Sequence, residues 1–299
     1  MKRAVSISIG SSTRDKAVEM KLLGQRLRVE RIGTDGDMEA AAGLFRDLDG
    51  KVDAFGVGGT DLGLLVDRRM YKLHSVQKLV RYVKTTPYVD GGGLKSTLEL
   101  QLGPFIERRL GKAIPTKRAF IASAVDRYGM ARSFSESGYE CIFGDLMFAL
   151  RIPIPLRSLR SVRILAALLI PLVSRLPFEW LYPIGKEQEV RKPKWPEYFE
   201  WASVVAGDAL YIKRRMPDSL PGRVIATNTT TPADVAFFRQ AGVRYLVSST
   251  PVLDGRTFGT NMMEAALVAV AGKGRPLTHD ELRGLLAELK MEPQIQKLN

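Results

Sequence analysis

Apolar positions along this chain follow two periods that alternate. Short apolar runs of strand length recur, and most of them precede a turn and then a stretch in which apolar residues return at helical spacing. The predicted strands lie at residues 4–9, 27–32, 52–57, 119–124, 139–143, 203–206, 224–226 and 245–248. This alternation of strands and helices predicts an α/β fold with mostly parallel sheets.

The predicted helices lie between these strands, at residues 38–48, 94–110, 128–137, 156–170, 233–241 and 262–271. Gly103-Pro104 falls inside the second of them and predicts a kink, because proline lacks the amide hydrogen that continues a helix. Residues 64–73 have the spacing of a hairpin instead. Residues 76–83 fit a short helix or a strand equally well.

Residues 117–145 form the clearest unit of the chain, a strand, loop, helix and strand with the geometry of one mononucleotide-binding half. A glycine fingerprint for a dinucleotide would place Ala124, Asp126 and Gly129 at its three glycine positions. The match is partial, because the carboxylate of Asp126 would lie near an incoming pyrophosphate unless it caps the following helix. The unit predicts a Rossmann-like domain and leaves open whether a nucleotide binds.

Polar residues at strand ends predict where a cofactor would contact this domain. Asp145 follows the second strand of the unit, where an acid accepts hydrogen bonds from the ribose hydroxyls of NAD and repels the 2′-phosphate of NADP. Small polar or acidic groups also follow later strands, at Asp208, Asn228 and residues 248–250. Because ligands of open α/β sheets collect at the carboxyl ends of strands, we expect Asn228 to contact a bound NAD or NADP.

Glycines mark two loops in the first part of the chain. Residues 56–63 precede a hairpin rather than a helix, so they lack the helix N-terminus that binds phosphate. They predict close strand packing or a lip that faces the substrate. The second loop begins at Asp90, which is followed by three glycines and by Leu94-Lys95. Asp90 is either a residue of the site or a local cap of the next helix.

A length of 299 residues suits two domains. The pattern predicts an N-terminal α/β domain at residues 1–110 and a Rossmann-like domain at residues 111–275, with a C-terminal helix and tail at residues 276–299. Residues 146–200 form a helical and irregular insertion in the second domain. This insertion fits a lid, a wall of the cleft, a covering helix or the contact of a homodimer.

The net charge of +13 suits a small anionic substrate. The basic residues are spread along the chain without a basic motif, so we expect no binding of nucleic acid. The longest apolar run, residues 164–173, is too short to span a bilayer, and we expect no membrane partner. The single Cys141, the two histidines and a start without a signal peptide predict a cytoplasmic protein without a metal site.

The order of these parts resembles a known group of enzymes. An α/β domain, an Asp-Gly-x-Gly-Leu loop at Asp90, a linking helix and a Rossmann unit are similar to shikimate and quinate dehydrogenases. A bacterial family labelled quinate 5-dehydrogenase resembles the chain nearly end to end. The resemblance is carried by Arg31-Ile-Gly-Thr-Asp-Gly-Asp-Met38, Phe143-Gly-Asp-Leu146 and Phe258-Gly-Thr-Asn-Met-Met-Glu-Ala265.

The resemblance implies an NAD(P)-dependent oxidoreductase that acts on a small hydroxylated carboxylate in a cleft between the domains. It implies that Asp90 binds the substrate and takes part in catalysis beside a lysine. In those dehydrogenases the lysine ends a Thr-x-Pro-x-Lys pattern, but Val89 stands there in this chain, so Lys84 and Lys95 are its substitutes by proximity. The alternative is a non-catalytic ligand-binding or regulatory protein on a dehydrogenase-like fold.

Overall fold

Two sheets rich in parallel strands form the centre of the protein. The computed structural model describes residues 1–175, 191–250 and 259–299. The first sheet contains β1 (Lys2–Ser8), β2 (Lys16–Leu22), β3 (Gln25–Gly33), β4 (Ala54–Gly58) and β7 (Tyr88–Val89). Their order is β2-β3-β1-β4-β7, and β2 is the strand that runs antiparallel to its neighbour. β5 (Gly63–Val66) and β6 (Arg69–Lys72) form the predicted hairpin.

The second sheet contains β8 (Arg118–Ile121), β9 (Glu140–Phe143), β10 (Val204–Ala206), β11 (Val224–Thr227), β12 (Tyr245–Ser248) and β13 (Gln294–Lys297). Their order is β13-β12-β11-β10-β8-β9, with β13 antiparallel at the edge. The chain reverses direction across the sheet between β8 and β10, which is the switch point of a doubly wound sheet. The predicted two-domain α/β fold with a Rossmann-like second sheet is confirmed.

Helices cover both faces of each sheet. In chain order they are α1 (Met38–Leu48), α2 (His74–Gln77), α3 (Gly92–Glu99), α4 (Leu102–Leu110), α5 (Tyr128–Glu136), α6 (Asp145–Ala149), α7 (Leu159–Val173), α8 (Pro196–Trp201), α9 (Ala209–Arg215), α10 (Pro232–Gln240), α11 (Thr260–Ala271) and α12 (His279–Glu288). Phe45 of α1 packs on one face of the first sheet. Phe134 of α5 and Phe238 of α10 pack on opposite faces of the second.

The predicted insertion at residues 146–200 contains most of α6, together with α7 and α8. Residues 176–190 within it lie outside the described residues. Within the described part of the chain, no helix has both the length and the apolar character needed to cross a membrane.

The edge strand β2 was missed by the sequence pattern. Its charged side chains Lys16, Glu19 and Lys21 lie on an edge that has solvent beside it, so the strand carries no continuous apolar run. A tight turn joins it to β3, and Leu23 and Gly24 both have positive φ there, at 49° and 77°. Such a turn matches the twist of an antiparallel pair.

The position of α11 corrects the predicted domain boundaries, which assigned residues 260–271 to the second domain. Every residue from Met262 to Val270 is at most 4% exposed, and the helix packs on the first sheet together with α12. Gly56 of β4 permits this contact, because a Cβ there would lie only 2.9 Å from the backbone oxygen of Asn261. A helix that is apolar on all sides needs burial on all sides. The first sheet and α12 bury this helix. After α12 the chain returns to the second sheet as β13.

The linking helix is broken into α3 and α4, as Gly103-Pro104 predicted. Glycines let both helices lie close to α5. A Cβ on Gly129 would be 2.8 Å from the carbonyl oxygen of Ser96, and one on Gly103 would be 2.5 Å from that of Ser133. The linking helices are therefore packed firmly on the second unit.

A buried carboxyl group ties α11 to the linking helix. Glu264 is 3% exposed and accepts a hydrogen bond from the backbone N–H of Leu94 at 3.0 Å, in the first turn of α3. The first N–H groups of a helix lack partners within the helix, so Glu264 caps α3 from a distant element. Burial raises the pKa of Glu264 to about 8, against the effect of this hydrogen bond.

We expect Glu264→Gln to change the pH dependence of stability. The folded pKa of about 8 lies above the ordinary value of 4.5, so the protonated carboxyl stabilises the fold at low pH, and this stabilisation is lost as pH rises through 8. The difference in unfolding free energy, wild type minus variant, should fall by up to about 1.4 kcal/mol per pH unit as the pH rises from 4.5 to about 8. Urea unfolding across this range measures it.

Glu288→Gln, at an exposed position, is the matched control and should follow the wild type at every pH. Parallel curves for the wild type and Glu264→Gln would contradict the assigned protonation of Glu264.

Candidate active site

A cleft of about 500 Å³ lies at the carboxyl edges of the two sheets. The loop after β4 contributes Asp61, and α3 contributes Lys95. The loops after β8, β10 and β11 contribute Asp126, Asp208 and Asn228. The cleft therefore lies at the switch point between β8 and β10, where ligands bind in sheets of this kind. Its volume suits a small molecule.

Lys95 lies between two carboxylates on the floor of the cleft. Its Nζ is 2.9 Å from Oδ1 of Asp126 and 3.8 Å from Oδ1 of Asp61. The side chains of Lys95, Asp126 and Asp61 are 14%, 25% and 26% exposed. Protein atoms surround them on most sides, and a ligand in the cleft can still reach them.

This arrangement pushes the pKa values of the two carboxyl groups apart. Burial raises the pKa of Asp61 to about 6, and the charges of Asp126 and Asp90 act in the same direction, against that of Lys95. Burial would also raise the pKa of Asp126, but Lys95 and Arg127 lower it to about 2. Burial would lower the pKa of Lys95, but Asp126 and Asp61 raise it. A group that takes up a proton near neutral pH thus lies beside a fixed cation.

Arg127 fixes the second-domain side of this floor. Its guanidinium donates hydrogen bonds to Glu99 at 2.8 Å and to Asp208 at 3.0 Å, and its Nε lies 3.2 Å from Asp126. Glu99 is 1% exposed and Arg127 is 8% exposed. One buried cation therefore joins α3, the loop after β8 and the loop after β10.

The two candidate lysines have different positions. Lys95 lies in the cleft, as its proximity to Asp90 predicted. Lys84 precedes β7 and lies at the amino-terminal edge of the first sheet, where its backbone N–H donates to Asp49 at 2.8 Å. This edge is opposite the cleft, so the structure removes Lys84 from the candidate catalytic residues.

Asp90 lies behind the floor rather than on it. Its carboxylate accepts hydrogen bonds from the backbone N–H groups of Leu62 at 2.7 Å and Gly92 at 2.8 Å. These bonds brace the loop that carries Asp61 and the start of α3, which agrees with the local cap that the sequence left open. The acids that pair with Lys95 are instead Asp126 at 2.9 Å and Asp61 at 3.8 Å, and Asp90 is not among the residues that line the cleft.

The predicted ribose ligand, Asp145, is buried against the loop after β8. It is 4% exposed, and its carboxylate accepts a hydrogen bond from the backbone N–H of Val125 at 2.8 Å. Burial raises its pKa to about 6. α6 begins at Asp145, and Phe148 of this helix covers Gly144, where a Cβ would lie 2.9 Å from the ring. The buried carboxyl of Asp145 thus contacts the loop after β8 through Oδ1, and its Oδ2 has no hydrogen-bond partner among the described residues.

The other fingerprint positions have structural roles. Ala124 is fully buried in the core, and Gly129 permits the contact between α5 and α3. Asp126 pairs with Lys95 and does not cap α5, whose first turn has no side-chain cap. Asn228 does line the cleft. The residues present do not fit a dinucleotide at the predicted loop. In the part of the chain that the structure describes, no three His, Cys, Asp or Glu side chains are grouped to hold a metal ion.

Sequence reasoning missed Asp61 and Arg127 as residues of the site. The glycine-rich run that contains Asp61 has the predicted close strand packing. A Cβ on Gly58 would lie 2.8 Å from the Cβ of Ser8, which shows close packing, and Asp61 lines the cleft. The available signal was an acid that directly follows a buried strand. Arg127 offered no such signal, because two of its three acid partners, Glu99 and Asp208, are distant along the chain.

We expect Arg127→Met to destabilise the fold by about 3–5 kcal/mol, because it leaves Glu99 buried without its partner. Adding Glu99→Gln should recover part of this loss, since the uncompensated charge is then removed. Urea unfolding of the single and double variants measures both effects. Arg132→Met, which breaks an exposed pair with Glu136, should cost about 0.5 kcal/mol. Equal losses in Arg127→Met and Arg132→Met would contradict the assigned role of Arg127.

The solved structures to which this chain is similar include two malic enzymes and a sugar-binding protein, all at low identity. The malic enzyme of Entamoeba histolytica gives a TM-score of 0.43 at 10% identity, over 94% of this chain and 60% of that enzyme, so the chain spans 60% of the enzyme's length. The malic enzyme of Pyrococcus horikoshii Ot3 gives a TM-score of 0.38 at 10% identity, over 99% of this chain and 71% of that enzyme. GanP, a glucose-galactose binding protein from Geobacillus stearothermophilus, gives a TM-score of 0.36 at 9% identity, over 99% of this chain and 97% of that protein. At identities and scores this low, these likenesses do not say what this chain binds.

No curated protein matches the sequence. Residues 3–90 match a family described as a domain of unknown function, DUF8753. Residues 93–298 match a second such family, DUF8754, and the two matched regions meet at the glycine loop before α3. Because the second match covers more than half of its length, the chain belongs to the family described as domain of unknown function DUF8754.

Proposed function

We propose that this protein is an enzyme that binds a small polyhydroxylated molecule in the cleft and starts its reaction by taking a proton from a hydroxyl group with Asp61. The observation that carries the proposal is the floor of the cleft, where Lys95 lies 3.8 Å from Asp61 and 2.9 Å from Asp126. Deprotonation of a hydroxyl requires a proton acceptor and a nearby positive charge, and both are present.

The three residues of the floor have separate roles. Asp61 accepts the proton, because its pKa of about 6 leaves it ionised at neutral pH and still basic enough to bind a proton. Lys95 stays protonated, donates a hydrogen bond to the substrate oxygen and stabilises the negative charge that develops there. Asp126 stays ionised and holds Lys95 in place by their 2.9 Å contact. Arg127 in turn holds Asp126.

The walls of the cleft support a substrate with several hydroxyl groups. Asp208, Asn228 and Thr260 offer a carboxylate, an amide and a hydroxyl, which together accept and donate hydrogen bonds. Tyr211 contributes a ring that is 44% exposed. Aliphatic side chains such as Leu64 and Leu73 complete the lining. A few convergent polar groups in such a pocket orient a small polar ligand.

Oxidation of a small hydroxylated carboxylate with NAD or NADP is the second candidate. The position of the cleft at the switch point favours it, and the resemblance to shikimate and quinate dehydrogenases implies it. This reaction needs a hydride acceptor, and the residues at the predicted dinucleotide loop do not fit one. We therefore assign only the proton transfer to residues of this chain.

We expect Asp61→Asn to abolish most of the turnover and to leave ligand binding nearly intact. Thermal shifts with a panel of sugars and hydroxylated carboxylates, including quinate and shikimate, identify the ligand, and mass spectrometry identifies the product. The variant should lower kcat by about 10²–10⁴-fold, because general base catalysis is lost. In the wild type, kcat should fall about tenfold per pH unit below pH 6, since Asp61 is then protonated.

Asp67→Asn is the matched control, because Asp67 lies in the turn between β5 and β6 and makes an exposed pair with Arg163. It should keep the kcat of the wild type. Full turnover in Asp61→Asn would refute the role of Asp61. A ligand that binds to the wild type and is never converted would make the protein a non-catalytic binding protein.

We expect Asp145→Asn to leave any preference between NAD and NADP unchanged, because the carboxyl of Asp145 contacts Val125 rather than a ribose. The measurement is thermal unfolding with each cofactor. A dinucleotide at about 100 times its dissociation constant should add roughly 2.7 kcal/mol of stability if it binds the folded protein alone. No shift with either cofactor would remove the second candidate. A preference for NAD that disappears in the variant would restore the ribose contact.

A further inference from the structure

Two arginines at the end of α9 concentrate positive charge beside the cleft. Arg214 and Arg215 are consecutive, and Arg214 lines the cleft directly. Arg215 lies behind it and is 5% exposed. Its guanidinium donates to the backbone oxygen of Lys192 at 3.3 Å and lies 5.7 Å from the ring centre of Trp195.

No described acid compensates this charge. The Nε of Arg214 is buried, and none of the residues placed in the structure accepts a hydrogen bond from it. The nearest acids along the sequence pair with other cations. Asp208 pairs with Arg127, Asp218 with Arg191 and Asp234 with Lys213.

The chemistry of Arg215 supports the same conclusion. Burial lowers its pKa, and the positive charges of Arg214 and Arg151 lower it further. A buried guanidinium without a carboxylate is costly, and two adjacent ones repel each other. Such an arrangement is stabilised when an anion binds, and the planar guanidinium matches the oxygens of carboxylate and phosphate groups.

Asn228 supplies a second donor in the same cleft. The hydroxyl of Thr227 donates to Oδ1 of Asn228 at 3.1 Å, and this bond orients the amide. The amide nitrogen is then available to donate to a ligand, because Asn228 lines the cleft. Arg214 and Asn228 both belong to the domain of the second sheet, whereas Asp61 comes from the first domain and Lys95 from the linking helix.

We propose that Arg214 and Asn228 form an oxyanion subsite that binds a carboxylate or phosphate group of the ligand in the cleft. One consequence of this subsite rests on the proposed function: the substrate is an anion whose hydroxyl groups reach Asp61 and Lys95. Arg215 increases the positive potential of the subsite without touching the ligand.

Anion binding to Arg214→Gln tests the proposal. The probes are inorganic phosphate, pyrophosphate and quinate, with uncharged inositol as the polyol that lacks an oxyanion. Calorimetry and thermal unfolding at fixed ionic strength should show binding of at least one anion to the wild type. The variant should bind that anion at least tenfold more weakly, and its response to inositol should equal that of the wild type. Comparing phosphate and pyrophosphate with quinate shows whether the subsite binds a phosphate or a carboxylate group.

The control is Arg239→Gln, an exposed position on α10 whose response should match the wild type. Without ligand, Arg214→Gln should melt at the same temperature as the wild type or higher, because the substitution removes repulsion with Arg215. A lower melting temperature with unchanged anion binding would make Arg214 structural and overturn the proposal. Absence of anion binding to the wild type would overturn it as well.

The two proposals fail in different ways. If anions bind through Arg214 and Asp61→Asn keeps full turnover, the subsite stands and the proposed proton transfer fails. If a hydroxylated ligand is converted and binds equally well to Arg214→Gln, the subsite fails and the proposed function stands.

Discussion

The buried guanidinium of Arg127 is the constraint on which the cleft depends. A charge that is 8% exposed requires partners, because its removal from water is costly. Glu99, Asp126 and Asp208 are those partners, and they belong to the linking helix, the loop after β8 and the loop after β10. Satisfying one charge therefore fixes the helix between the domains against the switch point of the second sheet. Asp126 takes a defined position as a result, and the position of Lys95 follows from it.

This constraint divides the cleft into two electrostatic regions. On the floor, Lys95 and Arg127 keep Asp126 ionised, while Asp61 has a pKa of about 6 because it is buried near other acids. On the wall, Arg214 has no acid partner among the described residues, and the nearby Asp208 pairs with Arg127. The floor suits proton transfer and the wall suits anion binding. A small hydroxylated anion, as proposed above, would contact both regions together.

The two units depend on each other for their cores. α11 and α12 belong to the region matched by DUF8754, but they bury their apolar faces on the first sheet, which belongs to the region matched by DUF8753. Gly56 allows the close contact between them, and Glu264 caps α3 across the same boundary. The walls of the cleft are therefore positioned by packing between the two regions. Substitutions at this boundary should affect the cleft even when they lie far from any ligand.

The pattern of apolar and polar residues was sufficient to predict the α/β class, the Rossmann-like second sheet, the break at Gly103-Pro104 and most strands, because buried parallel strands read as continuous apolar runs. It missed β2 and β13, whose exposed edge positions carry no such run. For the site, the resemblance to dehydrogenases suggested Asp90, proximity along the chain suggested Lys84 and Lys95, and the end of the second strand of the fingerprint unit suggested Asp145. That Asp61 and Asp126 flank Lys95 follows from the fold in three dimensions, since Lys95 and Asp126 are 31 positions apart and meet where two sheets end. Local sequence sets the period of an element, whereas the direction and protonation of a side chain depend on which distant groups are buried around it.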